Sequence, residues 1–403
     1  MSWIMRVFVF CFLCVLSLTI VSAREAPLIT PSDSEAFSLA LYDQLRNAEG
    51  NLFFSPYSIN NAFLMTYVGA RGNTAQQMRD VLRIIADDET LNQIFADYNA
   101  EIIANNNAVK DEYTPERILA VSNALWIQRD FALSPDYPTT LTNFYNASIT
   151  PLDFVGAPDE ARQLINDTVA EQTRDRILDL IPDGVIDAMT RLILTNAVYF
   201  KANWQNSFRA IASAPFNLRD GTVIDVPAMM ADKNMAYYAE NGVTAVAVPY
   251  AGWASQMVIV MPDDWASYEA ELSENGLPDM LSEPNYVQVA LTMPKFTFES
   301  SFSLSEALIS MGMTDAFNPD VADFSGMADA DLFIQEALHK AFIAVDENGA
   351  EAAAATSVII GVASAPMPVQ PIVVNIDKPF LFYIQDTETG EILFMGRVLN
   401  PSE

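Results

Sequence analysis

The 403-residue chain carries 52 Asp+Glu against 21 Lys+Arg, a formal charge of −31, which argues against nucleic acid, heparin-like polyanions and anionic membranes as partners. Its two cysteines, Cys11 and Cys14, stand near the N-terminus and its single histidine is His339; the usual zinc ligand sets are therefore missing, and neither disulfides nor thiolate chemistry is expected. With 51% apolar residues and no Gly/Ser/Pro linker, one large domain over 24–403 is expected, with no cofactor and no metal.

Residues 1–23 read as a secretory signal: Arg6 is the lone charge, an apolar run follows from Val7 to Ile20, and Val21-Ser22-Ala23 fits a small-residue cleavage site. Its removal leaves a net charge of −32 (20 Lys+Arg minus 52 Asp+Glu). A soluble, exported monomer is expected, free of the membrane once the signal is cut.

Ser34 to Arg46 has Phe37, Leu41 and Leu45 at helical spacing. Asn51 to Ser58 predicts a short buried strand, then a helix opened by Pro56 and running to Gly69. Thr74 is placed to cap the next helix, which holds Met78, Val81 and Leu82. Residues 88–106 predict an acidic helix, and Arg117 to Ile127 a strand. Helices follow over Thr139 to Tyr145 and Asp159 to Gln172, then an apolar strand from Arg191 to Phe200. Beyond Trp204 the pattern turns mostly to strands, at Thr222 to Val226, Val243 to Pro249, Met257 to Met261 and Val287 to Phe298. One helix, Ser303 to Met311, interrupts. Strands at Leu338 to Val345, Phe380 to Ile384 and Ile392 to Val398 close the chain. Helices come mainly first and strands mainly second, without βαβ alternation, which is an α+β pattern. Two sequons, at Asn146 and Asn166, are short enough to arise by chance.

Residues 347–371 are unusual. They open with a turn at Asn348-Gly349 and end in Pro366, Pro368 and Pro371, with only one charge, Glu351, between Gly349 and Ser364. Alanine propensity favours a helix. At period two, however, Ala350, Ala352, Ala354, Thr356, Val358 and Ile360 share one face, while Glu351, Ala353, Ala355, Ser357 and Ile359 share the other. Such a segment suits a central strand, because it is small on its inner face and keeps every N–H.

Several phrases together resemble the serpins, protease inhibitors that work by loop insertion. They are Asn51 to Ser58, Ile165 to Thr173, Leu194 to Trp204, Met293 to Phe296, Leu308 to Met313, His339 to Phe342, Pro379 to Phe382 and Leu393 to Pro401. Their order and spacing cover the whole chain after the leader. The resemblance implies one metastable domain of three β-sheets and about nine helices, with residues 347–371 as an exposed reactive-centre loop. It also implies a suicide inhibitor rather than an enzyme: a protease cuts the loop, and the cut loop inserts as a new strand that distorts the trapped acyl-enzyme. A strand of about 14 residues would span ~45 Å.

The resemblance places the reactive bond between Ala363 and Ser364, which suits serine proteases with small apolar pockets, elastase-like or subtilisin-like. The tail from Ser364 to Pro379 is longer than in short-loop members, leaving Val362 or Met367 as alternative positions before the bond. It assigns a hinge to Glu347, Gly349, Ala350, Glu351, Ala352, Ala353, Ala354 and Ala355, with Ala350 where the family usually has Thr or Ser. It assigns a shutter to His339, Ser55, Ser58 and Asn196, with protonation of His339 expected to loosen it near pH ~5. It assigns a breach to Trp204, Lys295 and Glu347, whose ion pair is expected to be weak and exposed; Ala210-Ile-Ala212 replaces a usual threonine nearby. Non-inhibitory members of the family act as carriers, chaperones or storage proteins, and cross-class inhibition of a cysteine protease also occurs in it. A hydrolase built on His339 lacks a nucleophile-elbow phrase.

Overall fold

A computed structural model of the chain describes residues 30–107, 117–350 and 370–403. Residues 1–23, expected to be a leader, the expected hinge residues Glu351, Ala352, Ala353, Ala354 and Ala355, the expected reactive pair Ala363 and Ser364, and the alternatives Val362 and Met367 lie outside them.

Helix α1 (Ser34–Leu45) is capped by the Asp33 carboxylate, which accepts from Ala36 N at 3.0 Å. Strand β1 (Leu52–Phe54) runs directly into α2 (Pro56–Tyr67). Ser55 ends the strand and caps the helix, its Oγ accepting from Ser58 N at 3.1 Å, and Pro56 sets the first helical φ. All twelve residues of α2 are buried, so this helix is the spine of the core.

Helix α3 (Gly72–Val81) begins two residues before Thr74, so that residue is not its cap. The buried Thr74 hydroxyl instead accepts from Asp323 N at 3.0 Å, tying the helix to a distant loop. Then follow α4 (Asp88–Asn106), β2 (Ile118–Gln128) and α5 (Asp136–Thr140). A wider π-helical turn, Leu141–Tyr145, completes what the sequence suggests is one helix. Next come β3 (Ser148–Leu152), α6 (Pro158–Gln172) and β4 (Leu192–Asn203).

The second half holds β5 (Arg209–Asn217), β6 (Val223–Glu240), β7 (Val243–Pro249), β8 (Ser255–Pro262) and α7 (Trp265–Asn275). After these come β9 (Tyr286–Pro294), β10 (Phe296–Ser303), α8 (Ser305–Met311), β11 (Ala337–Val345) and β12 (Gly349–Ala350). The chain closes with β13 (Ile372–Asn375), β14 (Phe380–Asp386) and β15 (Ile392–Val398). The run Val287 to Phe298 is thus two strands, broken after Pro294, which has no N–H to continue a ladder. Strand β6 extends fourteen residues beyond the predicted Val226.

The six-stranded sheet has the order β10-β11-β12-β4-β2-β3. The nine-stranded one has the order β1-β15-β14-β8-β7-β6-β9-β13, with β5 on β6. Its long strand β6 joins two parts: its N-terminal stretch pairs with β5 and its middle with β9, while the C-terminal end pairs with β7. Those two parts and the six-stranded sheet make up the three sheets expected.

Three apolar clusters follow from this layering. One packs α1, α2 and α8 under the sheets, and a second fills the space between the two sheets around Phe200, Trp204, Tyr250 and Phe382. The third packs α6 and the segment after it onto β2 and β4.

Candidate functional site: a seam in the six-stranded sheet

Strands β4 and β11 meet in two ways. Over Ala337–Ala341 and Leu194–Val198 they pair directly and in parallel. Beyond Ala341 the ladder gives way, and β12 sits between them at the far end, antiparallel to both: Ala350 opposite Val345 on one side, Gly349 and Ala350 opposite Asn203 and Ala202 on the other. The start of the loop therefore already occupies the top of a slot whose lower part is zipped shut.

Gly349 is the only residue type this contact admits. A β-carbon there would stand 2.0 Å from Ala202 O and 2.6 Å from Asn203 Cα, both backbone atoms with no rotamer to escape through. Ala350 is 2% exposed and joins the apolar cluster between the sheets. A small side chain is needed there, and alanine supplies it.

Around this root lie the residues assigned to the breach. Trp204 Nε1 donates to Asp346 O at 2.8 Å and Trp204 N donates to Asn348 O at 2.7 Å, so the tryptophan clamps the turn from which the hinge emerges. Its ring stacks on Tyr250, centroids 4.6 Å apart and 8° from parallel. Lys295 Nζ lies 3.0 Å from Glu347 Oε2, both side chains being about one-third exposed. The Glu347 carboxyl is held below its ordinary range, first by a backbone hydrogen bond and then by the Lys295 ammonium. Asp346 Oδ1 accepts from Asn348 N and Gly349 N, fixing the turn.

The shutter residues meet at the zipped part of the seam. His339 on β11 stands opposite Asn196 on β4, and their side chains bond across it, Nδ1 to Oδ1, at 2.6 Å. Ser55 N donates to His339 Nε2 at 3.3 Å. One nitrogen thus accepts and the other donates, which fixes the neutral Nδ1–H tautomer. Asn196 Nδ2 donates to Ser58 Oγ and to Asn123 Oδ1, both at 2.6 Å, while Ser55 Oγ donates to Leu393 O at 2.6 Å. Asn123 is the member that sequence reasoning missed. It lies opposite Asn196 on β2, and its place follows from strand register, which no local motif announces.

His339 is fully buried, with Phe302 as an aromatic neighbour at 5.4 Å between centroids. Desolvation drives its pKa down from 6.5 to about 3. A proton on this ring is therefore disfavoured while the sheet is closed, since no carboxylate among its hydrogen-bond partners offsets the burial.

A strap closes the seam from outside. After α6 the chain runs over β4 toward β11, burying Ile177, Leu180 and Ile181 in a cluster that reaches Ala197 on β4 and Leu338 on β11. Lys340 Nζ on β11 donates to Leu178 O at 2.9 Å, and the Arg176 guanidinium lies 5.8 Å from the Phe342 ring centroid. Arg174, Asp175 and Asp179 in this strap have φ of +56°, +60° and +49°, a conformation that costs non-glycine residues energy. Asn166 holds the strap at both Ile181 backbone groups and is 6% exposed, so its sequon does not offer a free amide.

A family model described as Serpin (serine protease inhibitor) matches residues 32–401. The chain is 38% identical over 385 residues to a serpin-like protein of Thermococcus kodakarensis, covering 94% of this chain and 87% of that one. It is 34% identical over 386 residues to the leukocyte elastase inhibitor of Homo sapiens, covering 92% and 99%. Among solved structures, the thermophilic serpin Tengpin in its native state superposes with a TM-score of 0.80 at 30% identity, covering 91% and 93%. Thyroxine-binding globulin in complex with thyroxine gives 0.78 at 27%, covering 92% and 98%.

Proposed function

The chain belongs to the serpin family, and from that we propose that it traps serine proteases of small apolar specificity by inserting its cut loop into the β4–β11 seam. Inhibition of serine proteases in general follows the family; the elastase-like or subtilisin-like target and the trapping step are our reading. One observation carries it. The loop root, Gly349–Ala350, is already seated as a strand between β4 and β11; after Glu351 the sequence is small and uncharged from Ala352 to Ser357 and apolar from Val358 to Ile360. Continuing that strand requires the five-residue ladder from Ala337 to Ala341 to part from Leu194 to Val198. The His339–Asn196 bond lies in the middle of that ladder, so it sets a barrier without blocking the path.

The free energy for moving a protease is the difference between a half-open sheet and a filled one, so the trap is a kinetic device. Serpin loop insertion is a recognised example of an order-changing switch. Cutting the loop of the isolated protein and heating it tests the proposal. Insertion predicts a large rise in the melting temperature of the cut form; an unchanged or lower value would contradict it. On the composition of residues 1–23 we also propose export, with a mature protein whose N-terminal sequence begins at Arg24.

A further inference from the structure

The turn between β7 and β8 carries an exposed indole in a backbone conformation that indoles avoid. Gly252 and Trp253 have φ of +85° and +64°, and Trp253 is 51% exposed. The bond from Trp253 N to Tyr250 O closes a turn centred on Ala251-Gly252, and Trp253 follows it with a second left-handed φ. Six other non-glycine residues among those described share a positive φ, and all are Arg, Asn or Asp. A bulky aromatic residue in this region is an outlier, and such strain persists where the surroundings enforce it.

The surroundings do enforce it. Trp253 N donates to Tyr250 O, Thr387 Oγ1 donates to Trp253 O at 2.5 Å, and Thr387 N donates to Ala254 O. Gly252 N donates to Gln205 Oε1 at 2.9 Å. Ala251 N donates to Asn203 O at 2.7 Å, and Asn203 pairs with Gly349. The turn is thus braced against the strand that receives the loop root, and the Arg117 guanidinium packs against it at Gly252.

We propose that Trp253 is a docking contact for the target protease, touching it while the loop lies in its cleft and before the bond is cut. The turn is bonded through Ala251 to Asn203, which pairs with the loop root at Gly349, the end of the described chain from which the segment attacked by a protease departs. An exposed indole on a chain of charge −31 fits a basic rim whose Arg or Lys stacks on the ring. Folding does not require this residue, since asparagine or glycine would relieve the turn.

The inference rests on the protease-inhibitor reading, so the test measures attack on the loop separately from trapping. The full chain and the variants Trp253→Asn and Trp253→Phe are mixed with a leukocyte-type elastase, and the second-order rate of loop attack is followed as complex plus cleaved chain. Trp253→Asn is expected to attack about tenfold more slowly with an unchanged or higher melting temperature. Trp253→Phe, which keeps an aromatic face and the same strain, should stay within about twofold of the parent. Equal rates for the parent and Trp253→Asn would overturn the docking role. If the parent is cleaved without trapping, the inhibitor reading fails, yet a tenfold slower attack on Trp253→Asn still upholds the contact.

Discussion

Gly349 lies against the carbonyl of Ala202 so closely that a β-carbon would stand 2.0 Å from the oxygen. The loop root is therefore a strand built to the width of a slot. Gly349→Ala should expel it, and because the slot is also the path for the cut loop, the variant should be cleaved more often than it traps. The number of inhibitor molecules consumed per protease is expected to rise several-fold, read by titration on denaturing gels. Ala350→Arg buries a guanidinium at a site 2% exposed and should do the same while leaving the fold intact. An unchanged yield of covalent complex in either variant would mean that insertion does not begin here.

Two buried groups respond to acid in opposite directions. His339 has its pKa lowered from 6.5 to about 3 by burial. Its contribution is complete above 6.5 and lost as pH falls, because the open or unfolded chain binds the proton first. That loss reaches roughly 5 kcal/mol below both values and about 2 kcal/mol at pH 5. Glu391, buried and hydrogen-bonded by Ser34 and Tyr98, is raised from 4.5 to about 7, burial being the main cause. Its contribution is complete below 4.5 and lost as pH rises through 7, so acidification restores about 2 kcal/mol by pH 5. Global stability should therefore change little between pH 7 and 5 on account of this pair.

Glu391 is bonded to Ser34 and Tyr98, outside the β4–β11 ladder, so parting that ladder would expose His339 with nothing to offset it. Polymerisation or latency should accelerate by up to about tenfold per pH unit below 6.5. A Glu391→Gln variant should show the acid loss in its denaturation midpoint that the parent hides. Polymerisation rates that are flat from pH 7 to 5 would remove His339 from the gate.

The strap over the seam is held to β11 by Lys340 at the Leu178 carbonyl, 2.9 Å away. A hydrogen bond from a charged group contributes about 1.5–3 kcal/mol. Lys340→Met keeps the apolar stem and drops the tie. Stopped-flow fluorescence should show the insertion step about fivefold faster, with spontaneous latency also increased. A rate equal to the parent's would show that the strap lifts before the rate-limiting step.

Lys295 and Glu347 make a pair about one-third exposed at the loop root. Such pairs contribute about 1 kcal/mol or less. Lys295→Met is expected to shift the denaturation midpoint by no more than that, and added salt should shrink the difference. Since the Glu347 carboxyl is lowered, the contribution exists above the ordinary carboxylate pKa and fades as pH falls. A variant destabilised by several kcal/mol would indicate that the pair organises the whole root.

Much of this was legible in the sequence because local signals agree with the fold. Pro56 starts a helix where its fixed φ places it, and the apolar runs of β4, β14 and β15 are strands. Helix α7 was hidden because its buried stripe contains Glu269, which meets Arg397 at 2.7 Å and accepts from Tyr42. A carboxylate on the inner face breaks the apolar period. Strand β5 was hidden because most of its residues face solvent. At the site, motifs supplied His339, Asn196 and the serines, but Asn123 and the strap ties to Lys340 and Phe342 depend on register and on long-range packing. The seating of Gly349 and Ala350 between β4 and β11 depends on both.

The most direct measurement is incubation of the full chain with an elastase-type protease, followed by a denaturing gel and mass spectrometry of the released peptide. The account predicts a complex that survives denaturation and a peptide beginning at Ser364. Complete cleavage of the loop with no such complex would contradict it, and would place this chain among the serpins that do not trap proteases.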